Sequence, residues 1–74
     1  MNNQILINEL KTQILAILNV CDTEKMPTIC QMRSTQQGKD SIVKDVVNRV
    51  LQGGSIMENL MAMENEFNNN KQEN

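Results

Sequence analysis

Few residues of this 74-residue chain have side chains that commonly carry out catalytic or metal chemistry. The sequence has no histidine, and Cys21 and Cys30 are its two cysteines, so it cannot supply a Cys/His metal cluster. Glu64 and Glu66 are two positions apart, which on a helix points them to different faces, and we expect both to be solvated. We therefore expect no enzymatic activity, no cofactor and no metal site.

The two cysteines are also too few to form a disulfide framework. We expect Cys21 and Cys30 to be small apolar thiols in or beside the core. A single domain of this length buries only about 60% of the surface that its unfolded chain exposes. Without a disulfide or metal to stabilise it, such a chain is expected to associate with itself or with another protein.

Basic residues are concentrated in the middle of the chain, although the whole chain carries a net charge of −2. Lys39, Lys44 and Arg49 would contact phosphates if the chain were a small helix-turn-helix DNA-binding regulator. Against this alternative, the segment 56–59 would begin the recognition helix with apolar residues and an acid. The sequence also has no tyrosine or tryptophan on which bases could stack. A protein partner is therefore favoured over nucleic acid.

Six methionines are many for so short a chain. On a helical wheel Met57 and Met61 form a strip that Glu64 separates from the main apolar positions of their helix, which are Ile56, Leu60, Met63 and Phe67. Flexible thioethers suit surfaces that adapt to another protein. We predict that Met57, Met61 and Glu64 contact a partner. The alternative is that the two methionines fill gaps in the core.

The elements that would position these residues are all predicted to be helices, because apolar residues recur at spacings of three and four. Gly53 and Gly54 are suited to end one helix, and Ser55 to Glu58 match a capping box that begins the next. Pro27 favours a short helix, with an extended connector as the alternative, and a polar linker follows over 34–38. The sequence predicts an all-α antiparallel bundle of three or four helices, at about 4–20, 27–33, 40–52 and 55–68.

One helical domain is expected over residues 1–68, followed by a disordered tail over 69–74 that has no apolar residue. The apolar arc of the first helix covers about half of its circumference, which is wider than a coiled-coil stripe. We therefore predict a homodimer whose interface consists of Leu6, Leu10, Ile14 and Ile17.

The apolar stretch near the start is interrupted by Asn8, Glu9 and Lys11, which argues against a signal peptide or a membrane span. We expect a cytoplasmic protein that does not bind membranes.

Asn and Gln make up about a quarter of the chain, so much of its polar surface consists of uncharged amides. Hyperthermophile proteins instead have networks of charged residues, so this composition favours a mesophilic bacterium or its phage. The predicted function is a regulatory module of the inhibitor, anti-activator or co-chaperone type that binds a protein partner.

Overall fold

A computed structural model describes residues 3–72, and within that range it has four helices and no strand. This confirms the predicted all-α bundle, including its short second helix. The helices are α1 (Asn3–Val20), α2 (Pro27–Met32), α3 (Gln36–Gln52) and α4 (Ile56–Gln72).

The central helix is α3, which packs against each of the other three. Its buried residues recur at helical spacing and are mostly valines, so periodicity outweighs their preference for strands. Together with side chains from α1 and α4 they form one hydrophobic core, which includes Leu10, Ile14, Leu18, Ile42, Val43, Val46, Val47, Leu60 and Met63.

The start of α3 lies at residue 36, not at residue 40 as predicted. Thr35 caps this earlier start, because its Oγ1 accepts a hydrogen bond from the Gly38 backbone N–H at 2.9 Å. The predicted linker over 34–38 is therefore largely helical. A Cβ atom at Gly38 would overlap the carbonyl oxygen of Met32, so this glycine allows α2 and α3 to approach closely.

The turn between α3 and α4 has the predicted form. Gly53 and Gly54 have φ angles of 148° and 85°, which glycine adopts without steric cost. The Ser55 Oγ accepts from the Glu58 backbone N–H at 3.1 Å, and the Ser55 N–H donates to the Glu58 carboxylate at 2.8 Å. This reciprocal pair confirms the capping box and fixes the start of α4.

The end of α4 lies beyond the predicted boundary at residue 68. The helix continues to Gln72, through most of the segment for which we predicted a disordered tail, and residues 73–74 lie outside the described part. No apolar residue follows Phe67, but backbone hydrogen bonds can continue a helix without side-chain packing.

A disulfide joins Cys21 to Cys30, so the expectation of two free thiols is wrong. The chain turns back after α1, and Pro27 begins α2 just before Cys30, which brings the two Cα atoms to 5.8 Å. Met26 and Ile29 are fully buried beside this bond. The disulfide therefore connects the end of α1 to α2 and closes a short loop over the core.

Candidate interaction surface

An open groove of about 650 Å³ lies between α1 and α3. Its floor is apolar, with Ile7 and Leu15 from α1 and Val43 and Val47 from α3. Both valines are buried in the core, Ile7 is half-buried, and Leu15 is 37% exposed. The floor is thus continuous with the core and still open to solvent on one side.

The rim of the groove is basic. Lys11, Lys39 and Lys44 line it together with Asp40, which accepts a hydrogen bond from the Gln36 side chain at 2.9 Å. Three lysines and one aspartate give the groove a charge of +2. The chain has 7 basic and 9 acidic residues, so the remainder has 4 and 8 and carries −4. Positive charge is therefore concentrated at the groove.

These three lysines take no part in the ion pairs of the described chain, which involve Arg49 with Asp45 and with Glu66. Their ammonium groups can therefore bind a ligand without first breaking an ion pair within the described chain. Helical spacing explains the placement of Lys11, because lining residues three or four positions apart along α1 form one stripe. The α1 stripe consists of Gln4, Ile7, Lys11 and Leu15.

Arg49 does not line the groove. Its guanidinium donates to both Glu66 oxygens, at 2.7 and 2.9 Å, and to Asp45 at 3.2 Å. Hydrogen bonding to Arg49 lowers the pKa of the Glu66 carboxyl, and the same bonds to Glu66 and then Asp45 raise the pKa of Arg49. Arg49 thus joins α3 to α4. Of the three residues predicted to contact phosphates, only Lys39 and Lys44 lie together, on the rim of the groove.

The residues predicted to contact a partner have three different environments. Met57 is 40% exposed, whereas Met61 is half-buried and packs against the core. Glu64 is 2% exposed, so the expectation that it is solvated is wrong. The two methionines do not form an open strip, and Glu64 has its hydrogen-bond partners within the chain.

The Glu64 carboxylate caps the N-terminus of α2. It accepts from the backbone N–H of Thr28 at 3.1 Å to each oxygen and from that of Ile29 at 3.0 Å. Met26 precedes α2 without a side-chain cap of its own, and Pro27 has no N–H to satisfy. A residue 36 positions away along the chain thus supplies the missing cap.

The residues predicted to form a dimer interface are also divided. Leu10 and Ile14 are 8% and 0% exposed within a single chain, because the wide apolar arc of α1 faces the core that it shares with α3. Ile17 is half-buried against the same core, and Leu6 is 46% exposed. Of the four predicted interface residues, Leu6 is exposed and Ile17 is partly exposed, so these two could contact a second copy of the chain.

Among the described residues, no group of three or more His, Cys, Asp or Glu side chains is placed to hold a metal ion. Over the same residues, none of the helices combines the length and apolar character needed to cross a bilayer. Comparisons with protein-family models, with curated proteins and with solved structures found no match to this chain.

Proposed function

We propose that this chain is a small regulatory protein, of the inhibitor, anti-activator or co-chaperone type, that acts by binding another protein at the groove between α1 and α3. The observation that carries the proposal is the apolar floor of this groove, open to solvent and edged by lysines without ion-pair partners. The proposed role is binding without catalysis.

Binding of DNA is the second candidate, because Lys39 and Lys44 lie together on the groove rim. The pairing of Arg49 with Glu66 weighs against it, since it removes one of the three cations on which that hypothesis depended. Salt separates the two candidates. Affinity for DNA falls steeply as salt displaces the condensed counterions, whereas association through an apolar floor with a few charge pairs at its rim falls only modestly.

The proposal is tested by quantitative affinity capture with the tagged full chain as bait. A Leu15→Glu variant places a carboxylate on the partly exposed floor, and Gln13→Glu makes the same charge change at an exposed site of α1 outside the groove. We expect one protein to be retained by the wild type and by Gln13→Glu and lost by Leu15→Glu. Capture that is unaffected by Leu15→Glu, or that disappears after nuclease treatment, contradicts the proposal.

A homodimer and a cytoplasmic location remain parts of this proposal. Sedimentation over a range of concentrations tests the first, and a monomer at all of them excludes it. The second is tested by alkylating Cys21 and Cys30 in intact cells before lysis. A reducing cytosol keeps thiols free, whereas a disulfide persists in an oxidising compartment, so the Cys21–Cys30 disulfide of the structure weighs against this location. A fully oxidised pair would therefore contradict the cytoplasmic location.

A further inference from the structure

We infer that the groove between α1 and α3 takes an acidic amphipathic helix of its partner, an inference that rests on the proposed function. The floor accepts the apolar face of such a helix, and the lysines on the rim face carboxylates on its flanks. Three properties of the groove carry this inference: its length, the absence of backbone partners on its floor, and its charge.

The length of the groove corresponds to about three helical turns. Its lining on α3 extends from Gln36 to Asn48, which at 1.5 Å per residue is roughly 18 Å. The floor offers apolar contacts about two turns apart on α1, at Ile7 and Leu15, and one turn apart on α3, at Val43 and Val47. A helix with anchors at positions i, i+4 and i+7 matches this spacing.

The floor favours a helix over an extended segment. An extended chain needs hydrogen-bond partners for its backbone N–H and C=O groups, and aliphatic side chains supply none. No sheet edge is present among residues 3–72 to pair with such a strand. A helix satisfies its own backbone and presents side chains to the floor, so only its apolar face has to be desolvated.

The charge of the groove selects an acidic helix. Lys11, Lys39 and Lys44 lie on the rim without internal ion pairs, and a basic helix would meet three like charges there. Duplex DNA also carries negative charge, but it has no apolar ridge to cover the floor. The combination of apolar floor and basic rim therefore fits an amphipathic acidic segment better than a phosphate backbone.

The test uses two designed 14-residue peptides with leucines at i, i+4, i+7 and i+11. One has glutamates on both flanks of this face, and the other has lysines at the same positions. Titration of the isotope-labelled full chain, followed by NMR, reports both affinity and location. We expect the acidic peptide to bind about tenfold or more tightly than the basic one and to shift the resonances of groove residues.

Charge reversal provides the matched variants. Lys11→Glu combined with Lys44→Glu changes two exposed rim positions, and Lys25→Glu changes an exposed lysine in the turn before α2, outside the groove. The double variant should reverse the preference between the two peptides, whereas Lys25→Glu should preserve it. Melting curves of the wild type and of both variants test whether the fold is retained.

Several outcomes would overturn the inference: equal affinity for both peptides, no binding of either, or shifts confined to another face. Displacement of the acidic peptide by a short duplex, with a steep dependence on salt, would assign the groove to DNA. Concentration-dependent self-association that Leu15→Glu abolishes would assign it to a second copy. If capture depends on Leu15 but the acidic peptide does not bind, the proposed function stands and this inference fails.

Discussion

Replacing Glu64 with leucine tests whether one buried carboxylate holds α2 against α4. In the wild type the carboxylate satisfies the backbone N–H groups of Thr28 and Ile29, at 3.0–3.1 Å, in a site that is 2% exposed. Leucine has a similar size and accepts no hydrogen bond. Both N–H groups would then lack their partner.

The size of the effect follows from the burial of the two donors. An unsatisfied buried donor costs about 1–3 kcal/mol. Ile29 is fully buried, so the cost of its unsatisfied N–H lies near the upper end of this range. Thr28 is half-buried, so water would replace part of its lost hydrogen bonding. Leucine also removes the desolvation cost of the buried carboxylate, which offsets part of the total. We therefore expect Glu64→Leu to lower the free energy of unfolding by about 2–4 kcal/mol.

Glu64→Gln should have a smaller effect, about 1–2 kcal/mol. Its remaining oxygen still accepts from Thr28 and Ile29 through neutral hydrogen bonds, while its amide group faces the Thr28 N–H. Urea unfolding followed by circular dichroism measures the losses. For a domain of this size each kcal/mol also lowers Tm by roughly 4–8 °C.

Glu66→Gln is the matched control, since it makes the same change on the same helix at an exposed position. It should cost less than Glu64→Gln, because exposed ion pairs contribute little. A Glu64→Leu protein as stable as the wild type would show that burying the carboxylate costs as much as the cap contributes. Equal losses of stability for Glu64→Gln and Glu66→Gln would show that burial of the Glu64 carboxylate has no special effect.

Two further predictions concern the connections between helices. Reducing the disulfide, or replacing Cys21 and Cys30 with serine, should lower the free energy of unfolding by about 2.5 kcal/mol, because the unfolded chain regains the entropy of a loop whose ends are separated by 9 positions. Melting with and without reductant measures the change, and identical melts would contradict it. Gly54→Val should cost more than Ser55→Ala, for which about 0.5–2 kcal/mol is expected, because Gly54 has φ of 85°. Chemical unfolding ranks these two variants, and the reverse order would refute the argument from backbone strain.

Local patterns were sufficient to predict the helices. Apolar spacing located α1, α3 and α4, and the sequence around Ser55 identified its capping box, because these signals depend on neighbours within one or two turns. The start of α3 was missed at residue 36, since the segment before Asp40 has no apolar periodicity. The sequence feature that marks this start is Thr35, whose side chain caps the helix by accepting from the Gly38 N–H three positions later. Gly38 itself is required by the close approach of α2.

Contacts between distant parts of the chain were not predictable in the same way. Glu64 caps a helix whose first residue lies 37 positions earlier, and no local pattern reports such a pairing. One signal was available, because Glu64 falls within the apolar surface of α4, where a carboxylate requires hydrogen-bond donors. The disulfide depended likewise on the turn that brings Cys30 back beside Cys21, and that turn is a property of the folded core.

The two flanks of α3 show why charge in the sequence did not locate the candidate site. Lys44 and Arg49 are five residues apart and belong to one cluster of basic residues, yet they face different neighbours. Arg49 forms ion pairs with Asp45 and Glu66 and contributes to the packing of α4, whereas Lys44 lies on the open groove without an ion pair. A cation that is already paired offers less to a ligand, because binding would first have to break that pair. The proposed partner surface therefore follows from which cations remain unpaired after folding, and not from their number in the sequence.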